Sequence, residues 1–539
     1  PFDPVTFSWD RAQILYLALY CLILSVPFFF AGALIATAFL LYSERSASVY
    51  GSDLLGAGAG SLAVLLILDR TGAENAVLTA STICLAGALL TAGRRIRMLS
   101  VAFILFNLLL FFVHPAFIDV RVSPYKELPL YLKHPGAEHL DTFHSSYSRI
   151  DTFKSPAIRS APGLSLKYAG QLPEQTGLAV DGDSVDVITG AGDRAGLRFL
   201  EFMPSSLPYI TGAKDDVLIL DPKGGLHALM AEYSGSVNIH KVESNPMVVK
   251  VVRDNFREFS GKIFDKDTWT GYGRSFLHGQ RSYDIIDLSV TGASVSRAFG
   301  VSEDYRYTVE AFKKYLAALK EDGTLSVSLY LIPPPRTEFR ILATIIRAME
   351  ESGIRDIGNK LAAIRSWDSI TILTGRSDLN KDKIRMIRSF AESRRFDAVY
   401  YPGITEEETN QYVRMPSNEY YKGFKELIGP QTRQLFIRDY LFDISPVYDE
   451  NPFFHYYFRL GNIERIYGVM GQKWIYFMQE GYLMPVMLAI MLLLSIVLIL
   501  LPVLFRRRTE HSVRSGHFRL FAFLYFAMLG LGSCSRKFH

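Results

Sequence analysis

The chain has 539 residues, of which 49% are hydrophobic and only 21% charged, with a net charge of +4. Soluble domains carry about a quarter charged residues, so the balance points to membrane-spanning helices with a soluble insert, and 13% aromatic residues exclude disorder as the dominant state. The small net charge gives no case for a nucleic-acid partner, and three cysteines exclude a disulfide scaffold or a Cys-built metal site.

Taken in chain order, the first elements are apolar runs. A hydrocarbon core needs about 20 apolar residues per helix. Spans are expected at 13–41, interrupted by Pro27, and at 54–68, 76–92 and 98–117. Two more are expected at 484–505 and, beginning near the chain end, 518–531. Pro1 is not an initiating Met, and the last apolar run is cut short, so the expectation is a piece of a longer membrane protein. Gly51, Gly56, Gly58 and Gly60 are spaced for close helix packing. Asp53 alone would suggest a substrate path instead, and an acid at a helix start near the interface is common without one.

Between the two membrane regions the pattern changes. Residues 119–212 are rich in Ser, Pro, Gly and Tyr with short alternating stretches, which predicts a small β-rich subdomain. In 213–382 short apolar runs alternate with 3.6-period segments. Strands are expected at 217–220, 237–242, 283–288, 325–331 and 369–373, and helices at 225–233, 246–259, 308–320 and 338–352. Such alternation predicts a doubly wound parallel sheet. Residues 383–480 read as a mixed appendage returning to the membrane helices of 481–539; residues 1–118 form the first membrane unit. The fold class is therefore a multi-pass α-helical membrane protein with an inserted α/β Rossmann-like domain.

The candidate site begins at Asp216-Val-Leu-Ile-Leu-Asp-Pro-Lys-Gly-Gly-Leu-His227. A strand runs into a glycine turn and then a helix, so backbone N–H groups can face a polar ligand. Glu243 follows Asp221 by about 20 residues, at the end of the second strand, a position suited to gripping ribose hydroxyls. The alternative is that Gly224 and Gly225 only shape a turn and Glu243 is a solvated strand-end acid. Glu303 and Tyr305, in Ser302-Glu-Asp-Tyr-Arg-Tyr-Thr308, are either a polar rim facing a substrate or the lead-in to a helix whose dipole favours acids. Pro333-Pro-Pro-Arg336 reads as a rigid loop. His134, His139 and His144 lie close in sequence, but their spacing is not that of a metal site, and no metal is expected.

The stretches Asp216–Glu243, Gly273-Arg-Ser-Phe-Leu277, Ser282-Tyr-Asp-Ile-Ile-Asp287, 302–312 and Leu319-Lys-Glu-Asp-Gly-Thr-Leu325 resemble spermidine synthases, and more closely the membrane-embedded spermidine-synthase-like proteins of bacteria. Residues 50–60 and Asp443-Ile-Ser-Pro-Val-Tyr-Asp-Glu-Asn-Pro-Phe-Phe454 look like that group's flanking motifs. The resemblance implies the fold of S-adenosylmethionine-dependent methyltransferases and aminopropyltransferases, closed by a hairpin at Trp367–Asp368. It also implies a bacterial inner-membrane setting and, as cofactor, S-adenosylmethionine or its decarboxylated form. By the same resemblance Gly224, Gly225 and Glu243 hold the nucleoside, with Asp221 and Lys223 standing where the family has Gly. Tyr272 stands where the family often has an adenine-binding acid, just before the Gly273–Arg274 pair. Asp287 matches the first carboxylate of an Asp-x-x-Asp pattern and is the candidate catalytic base, with Asp284 as helper or mere pairing partner. Val290 replaces the second carboxylate. An attacking amine must lose a proton first, so the aminopropyltransferase site is expected to be degenerate. Lys223 could pair with a methionine carboxylate, favouring the undecarboxylated donor. A non-catalytic binding domain on a membrane anchor or transport unit is the competing expectation.

Short-loop arginines mark the cytoplasmic side. Arg94, Arg95 and Arg97 precede the span entering the domain, and Arg506, Arg507, Arg508, Arg514 and Arg519 follow the span leaving it. They predict that the large domain lies away from the cytoplasm. Partners are thus expected to be the lipid bilayer and a small nucleoside-type ligand.

Overall fold

The computed structural model describes Asp10 and residues 12–124, 126–192, 194–277, 282–291, 302–470 and 483–497. The expected span at 518–531, the end of the one at 484–505 and the arginine loop 506–519 lie outside the described residues. Helices α1 (Ala12–Leu41), α2 (Ser46–Thr91) and α3 (Arg94–Val113) are long and apolar enough to cross a membrane. Their large side chains point outward: Phe28 is 78% exposed and Phe112 79%. That inverts the soluble pattern, in which such residues form the core. The two spans expected at 54–68 and 76–92 are joined in α2, which is broken at Gly72, with φ 80° and ψ 174°. An unbroken α2 would run to about 70 Å, over twice a hydrocarbon core.

Helix α4 (Glu127–Leu132) leads into an antiparallel sheet of β1 (Glu138–His144), β2 (Arg149–Lys154), β3 (Gln175–Val180) and β4 (Ser184–Thr189), in that spatial order. Short helical turns and α5 (Pro208–Thr211) connect it to the large sheet.

That sheet begins with β5 (Asp216–Leu220), α6 (Leu226–Tyr233), β6 (Asn238–Glu243), α7 (Pro246–Asn255), β7 (Thr268–Thr270) and α8 (Gly273–Phe276). It continues with β8 (Tyr283–Thr291), α9 (Val309–Ala317), β9 (Leu319–Tyr330), α10 (Thr337–Glu351), β10 (Leu361–Arg365) and β11 (Ser369–Gly375). Then come α11 (Lys381–Arg394), β12 (Asp397–Tyr400), α12 (Glu419–Ile428), α13 (Arg433–Asp439) and α14 (Ile463–Met470), followed by the apolar helix Leu483–Ser495. The strand order is β12-β10-β11-β9-β8-β5-β6-β7. Strands β7, β6, β5, β8 and β9 run parallel, and β11, β10 and β12 add antiparallel pairs.

Burial on both faces explains the unbroken apolar runs. Along β5, Val217 and Ile219 face a core with α6 and α7, while Leu218 and Leu220 face a second core with α9 and α10. The hairpin at Trp367–Asp368 joins β10 and β11, with Leu361 opposite Thr374, and β12 lies beyond it at the sheet edge. The unit drawn from 383 onward is not separate from the sheet, because β12 pairs with β10. Asp397 followed by three apolar residues is too short a run to reveal β12 by periodicity.

Candidate functional site

Strand β5 connects outward to β6 on one side, while β8 lies on its other side. This reversal of strand order leaves a crevice at the carboxyl ends of β5 and β8, the usual ligand position in such sheets. A narrow cleft with about 10 Å³ of free interior is found there, lined by Leu220, Asp221, Leu288, Ser289, Arg306 and the two tyrosines Tyr307 and Tyr315. A wider, open groove lies elsewhere, between the ends of α10 and α12 beside Gly353 and Gly429.

The turn leaving β5 is held in the left-handed region at three positions: Asp221 (φ 51°), Lys223 (φ 51°) and Gly225 (φ 95°). Such angles favour Gly, and Asp tolerates them better than Lys. Gly224 is required for another reason. A Cβ there would lie 2.0 Å from the Val187 carbonyl oxygen, so β4 of the small sheet rests directly on the turn.

Glu243 ends β6 beside this turn. Its Oε2 accepts the Lys223 N–H at 2.9 Å and its Oε1 accepts the Asn245 N–H at 2.9 Å. Burial, and then the neighbouring Asp221 charge, push its carboxyl up to about 7, against the lowering pull of those two N–H groups. Each carboxylate oxygen retains a lone pair for a ligand hydroxyl. Asn245 also caps α7 through Met247 N–H and donates Nδ2 to Ser148 Oγ at 2.7 Å, tying the acid to the small sheet.

Asp221 accepts Ser244 N–H on Oδ1 and Arg306 Nη1 on Oδ2, both at 2.9 Å. Arg306 also forks onto Asp304, with Nε to Oδ1 at 2.8 Å and Nη2 to Oδ2 at 2.6 Å. Burial opposes the Asp304 charge, but Arg306 and then His455 hold its carboxyl well below the usual range. Neither the turn spacing nor the strand pattern singled out Arg306, Asp304 or Ser289; an Asp-x-Arg spacing is too common to signal a site.

Asp287 is placed away from the cleft. It is fully buried in the middle of β8, opposite Ile219 of β5 and Ser326 of β9. Its Oδ2 accepts the Tyr209 hydroxyl at 2.9 Å and lies 2.8 Å from His227 Nδ1, beneath α5 and α6. Burial, then the Asp287 charge, raise the Tyr209 hydroxyl pKa well above 10. Ser289, two residues on, reaches the cleft instead. The side chain of Val290 lies outside the described part. Asp284 is a pairing residue: its Oδ2 accepts Asp216 N–H and Lys320 Nζ, both at 2.9 Å.

The remaining candidates form a rim. Tyr272 is 66% exposed, and nothing places its ring in the cleft. Arg274 Nη1 donates to both oxygens of Asp449 at 2.6 and 2.5 Å, and its guanidinium sits 5.8 Å from the Tyr305 ring. Tyr305 donates its hydroxyl to Glu303 at 3.0 Å. Asp449 also accepts the Thr308 hydroxyl at 2.7 Å, so the segment containing 443–454 reaches the rim from far along the chain.

No protein-family model matches the chain, and no curated protein sequence matches it. Among solved structures, a spermidine synthase in complex with the transition-state analogue AdoDATO is similar at 16% identity and a TM-score of 0.34, over 53% of this chain and 87% of that one. Spermidine synthase from Thermotoga maritima gives 17%, 0.33 and the same coverage. A probable spermidine synthase from Corynebacterium glutamicum gives 12% and 0.29, over 50% of this chain and 98% of that one. At these values the likeness assigns no role to any residue.

Proposed function

We propose that the α/β unit is a nucleoside-binding domain of spermidine-synthase-like plan carried on a membrane anchor. It takes S-adenosylmethionine or its decarboxylated form at the tips of β5 and β6. The reading rests on one observation above all: a buried carboxylate, Glu243, bonded to the backbone of the turn after β5 and adjoining the crevice where the strand order reverses. A carboxylate so placed can accept from both hydroxyls of a ribose. The Arg306 charge is already matched by Asp221 and Asp304, which leaves Lys223 as the cation of the turn. It favours the donor that keeps its carboxylate over the decarboxylated one, whose net charge is one unit more positive.

The transfer half is the weaker half. An amine acceptor needs a base within hydrogen-bond reach. Asp287 is turned into the core, Ser289 takes its place at the cleft, and the cleft-facing oxygen of Asp221 is bound by Arg306. These placements favour the second reading, a binding domain without aminopropyl transfer. They leave methyl transfer to an acceptor that needs no base as the chemistry such a site can still support. The cleft has only about 10 Å³ of free interior, far below the usual size of small-molecule sites, so a whole S-adenosyl ligand requires its lining to open, Arg306 included.

Calorimetry on the full chain in detergent tests this with S-adenosylmethionine, the decarboxylated donor and putrescine. Nucleoside binding is expected, and Glu243→Ala should weaken it by roughly 1.5–3 kcal/mol, the worth of a hydrogen bond to a charged group. Absence of binding by both donors would end the nucleoside reading. Turnover of putrescine to spermidine at about 1 per second or faster would restore aminopropyl transfer and point to a base elsewhere.

A further inference from the structure

The turn between β1 and β2, residues 145–148, meets both the long apolar helices and the acid at the tip of β6. On one side the Ser146 N–H donates to Asp69 Oδ1 of α2 at 2.5 Å. On the other side the buried Ser148 Oγ accepts Asn245 Nδ2 at 2.7 Å, and the Asn245 N–H donates to Glu243 Oε1 at 2.9 Å. The turn between these two ends is stiff. Ser145 N–H donates to the Ser148 carbonyl at 3.0 Å, and Ser145 Oγ accepts the N–H groups of Tyr147 and Ser148 at 3.2 and 3.1 Å. A displacement of Ser146 is therefore passed on to Ser148 and not absorbed between them.

The element with room for two arrangements is α2. Gly72 holds φ 80° and ψ 174° while the residues on each side of it are helical, and that combination is essentially confined to glycine. The β1–β2 hairpin clamps the break from both sides. Asp69, before it, holds Ser146, and Glu74, after it, accepts the Val120 N–H at 3.0 Å. Val120 is bound to the same hairpin, since its carbonyl accepts Arg149 Nη1 at 3.0 Å and Arg149 directly follows Ser148. A change of bend at Gly72 moves Asp69 relative to Glu74. It must then break one clamp or shift the turn that props Asn245.

We infer that the bend of α2 at Gly72 regulates the nucleoside site, with Asp69, the 145–148 turn and Asn245 linking the long apolar helices to the ribose-gripping carboxylate of Glu243. Ser148 and Asn245 are positioning residues for that carboxylate, and Asp69 brings the position of the helix to them. Such a link is reciprocal: a bend that tilts the turn weakens the grip on the ligand, and a ligand held by Glu243 steadies the bend. The identity of the ligand rests on the nucleoside reading; the mechanical link between α2 and Glu243 does not.

Calorimetry with S-adenosylmethionine and amide hydrogen exchange, both on the full chain in detergent, test the link from its two ends. Asp69→Ala and Ser148→Ala should each weaken binding roughly fivefold. Asp69→Asn, which keeps an acceptor for Ser146, should recover most of that loss. Asp69→Ala combined with Ser148→Ala should bind no more weakly than the worse of the two alone, because both interrupt the same line. Binding unchanged by Asp69→Ala, or two losses that simply add, overturns the inference. Exchange needs no ligand. Asn245→Ala should speed it roughly threefold or more at the amides of 69–75 as well as at 145–148, and Ser148→Ala, which leaves the α7 cap intact, should do the same. If the wild type binds no S-adenosylmethionine, the nucleoside reading falls by itself and the exchange result still decides the link. Faster exchange confined to 145–148 and α7, with 69–75 unchanged in both variants, overturns it.

Discussion

Burial and the Asp221 charge hold the Glu243 carboxyl near 7 in the folded protein, against an ordinary value of 4.5. The folded chain therefore keeps a proton that the unfolded chain has already released. The stability this group contributes is greatest below about pH 4.5 and is lost as the pH rises to about 7, by something on the order of 1–3 kcal/mol. Other acids titrate over the same range, so the informative quantity is the wild type minus Glu243→Gln, measured by urea unfolding at pH 5 and pH 8. The wild type should lose more stability across that interval; equal losses would contradict the assignment. Nucleoside binding has the opposite sign, since gripping ribose hydroxyls needs the carboxylate, and should strengthen as the pH rises through about 7. The position of Glu243 was legible in the sequence from its spacing after an apolar strand. The strained turn before it was not, because Asp221 and Lys223 hold the left-handed angles that usually announce themselves as glycines. Asp287 lies inside even the strand expected at 283–288, and the observed strand runs on to Thr291; the resemblance offered it as a base without regard to which face it takes. Strand alternation then sends Asp287 to the same face as Ile285, against α6.

Among the elements, the 443–457 segment depends most on one side chain. Arg340 of α10 donates to the carbonyls of Phe454 and Tyr456 at 2.8 and 2.7 Å, with longer bonds to Ser445 O and Asp443 Oδ2, and stacks 5.4 Å from the Tyr457 ring. The segment it gathers supplies Asp449 to Arg274 and Thr308, and the Pro452 carbonyl to Asp304. Arg340→Met keeps the volume of the stem and removes every donor, leaving buried carbonyls unpaired. It should cost about 3–5 kcal/mol in urea unfolding. A loss within about 0.5 kcal/mol, the range of a neutral surface change, would show that the strap is held by its aromatic packing alone. The motif at 443–454 was visible in the sequence as a motif. Its partner, Arg340, was not, since a charged residue on a helix reads as solvated until three-dimensional packing buries it.

Across the whole molecule, the small sheet lies between the long apolar helices and the cleft. Asp69 accepts Ser146 N–H at 2.5 Å and Glu74 accepts Val120 N–H at 3.0 Å, one on each side of the Gly72 break in α2. A Cβ at Gly72 would touch the His144 ring at 3.4 Å. The break is thus on the side of the soluble unit, as is the end of α3 at Val113, from which the chain enters it. Arg94, Arg95 and Arg97 begin α3, whose 20 residues place them about 30 Å from Val113. They therefore belong to the opposite side. Cationic loops are retained in the cytoplasm, so the large domain is expected to face away from it. The resemblance to cytosolic enzymes pulls the other way, but a shared fold does not carry a compartment with it. Reporter fusions after Leu166, an exposed position on the small subdomain, decide between the two. A phosphatase fused there should be active, and a fluorescent protein that matures only in the cytosol should stay dark. The reverse pattern would mean that three arginines crossed the membrane against the insertion bias. It would also open the cleft to the S-adenosylmethionine made in the cytosol and strengthen the transferase reading over the binding one. With the expected pattern, a ligand of the cleft has to reach it from outside the cytoplasm or through the apolar helices.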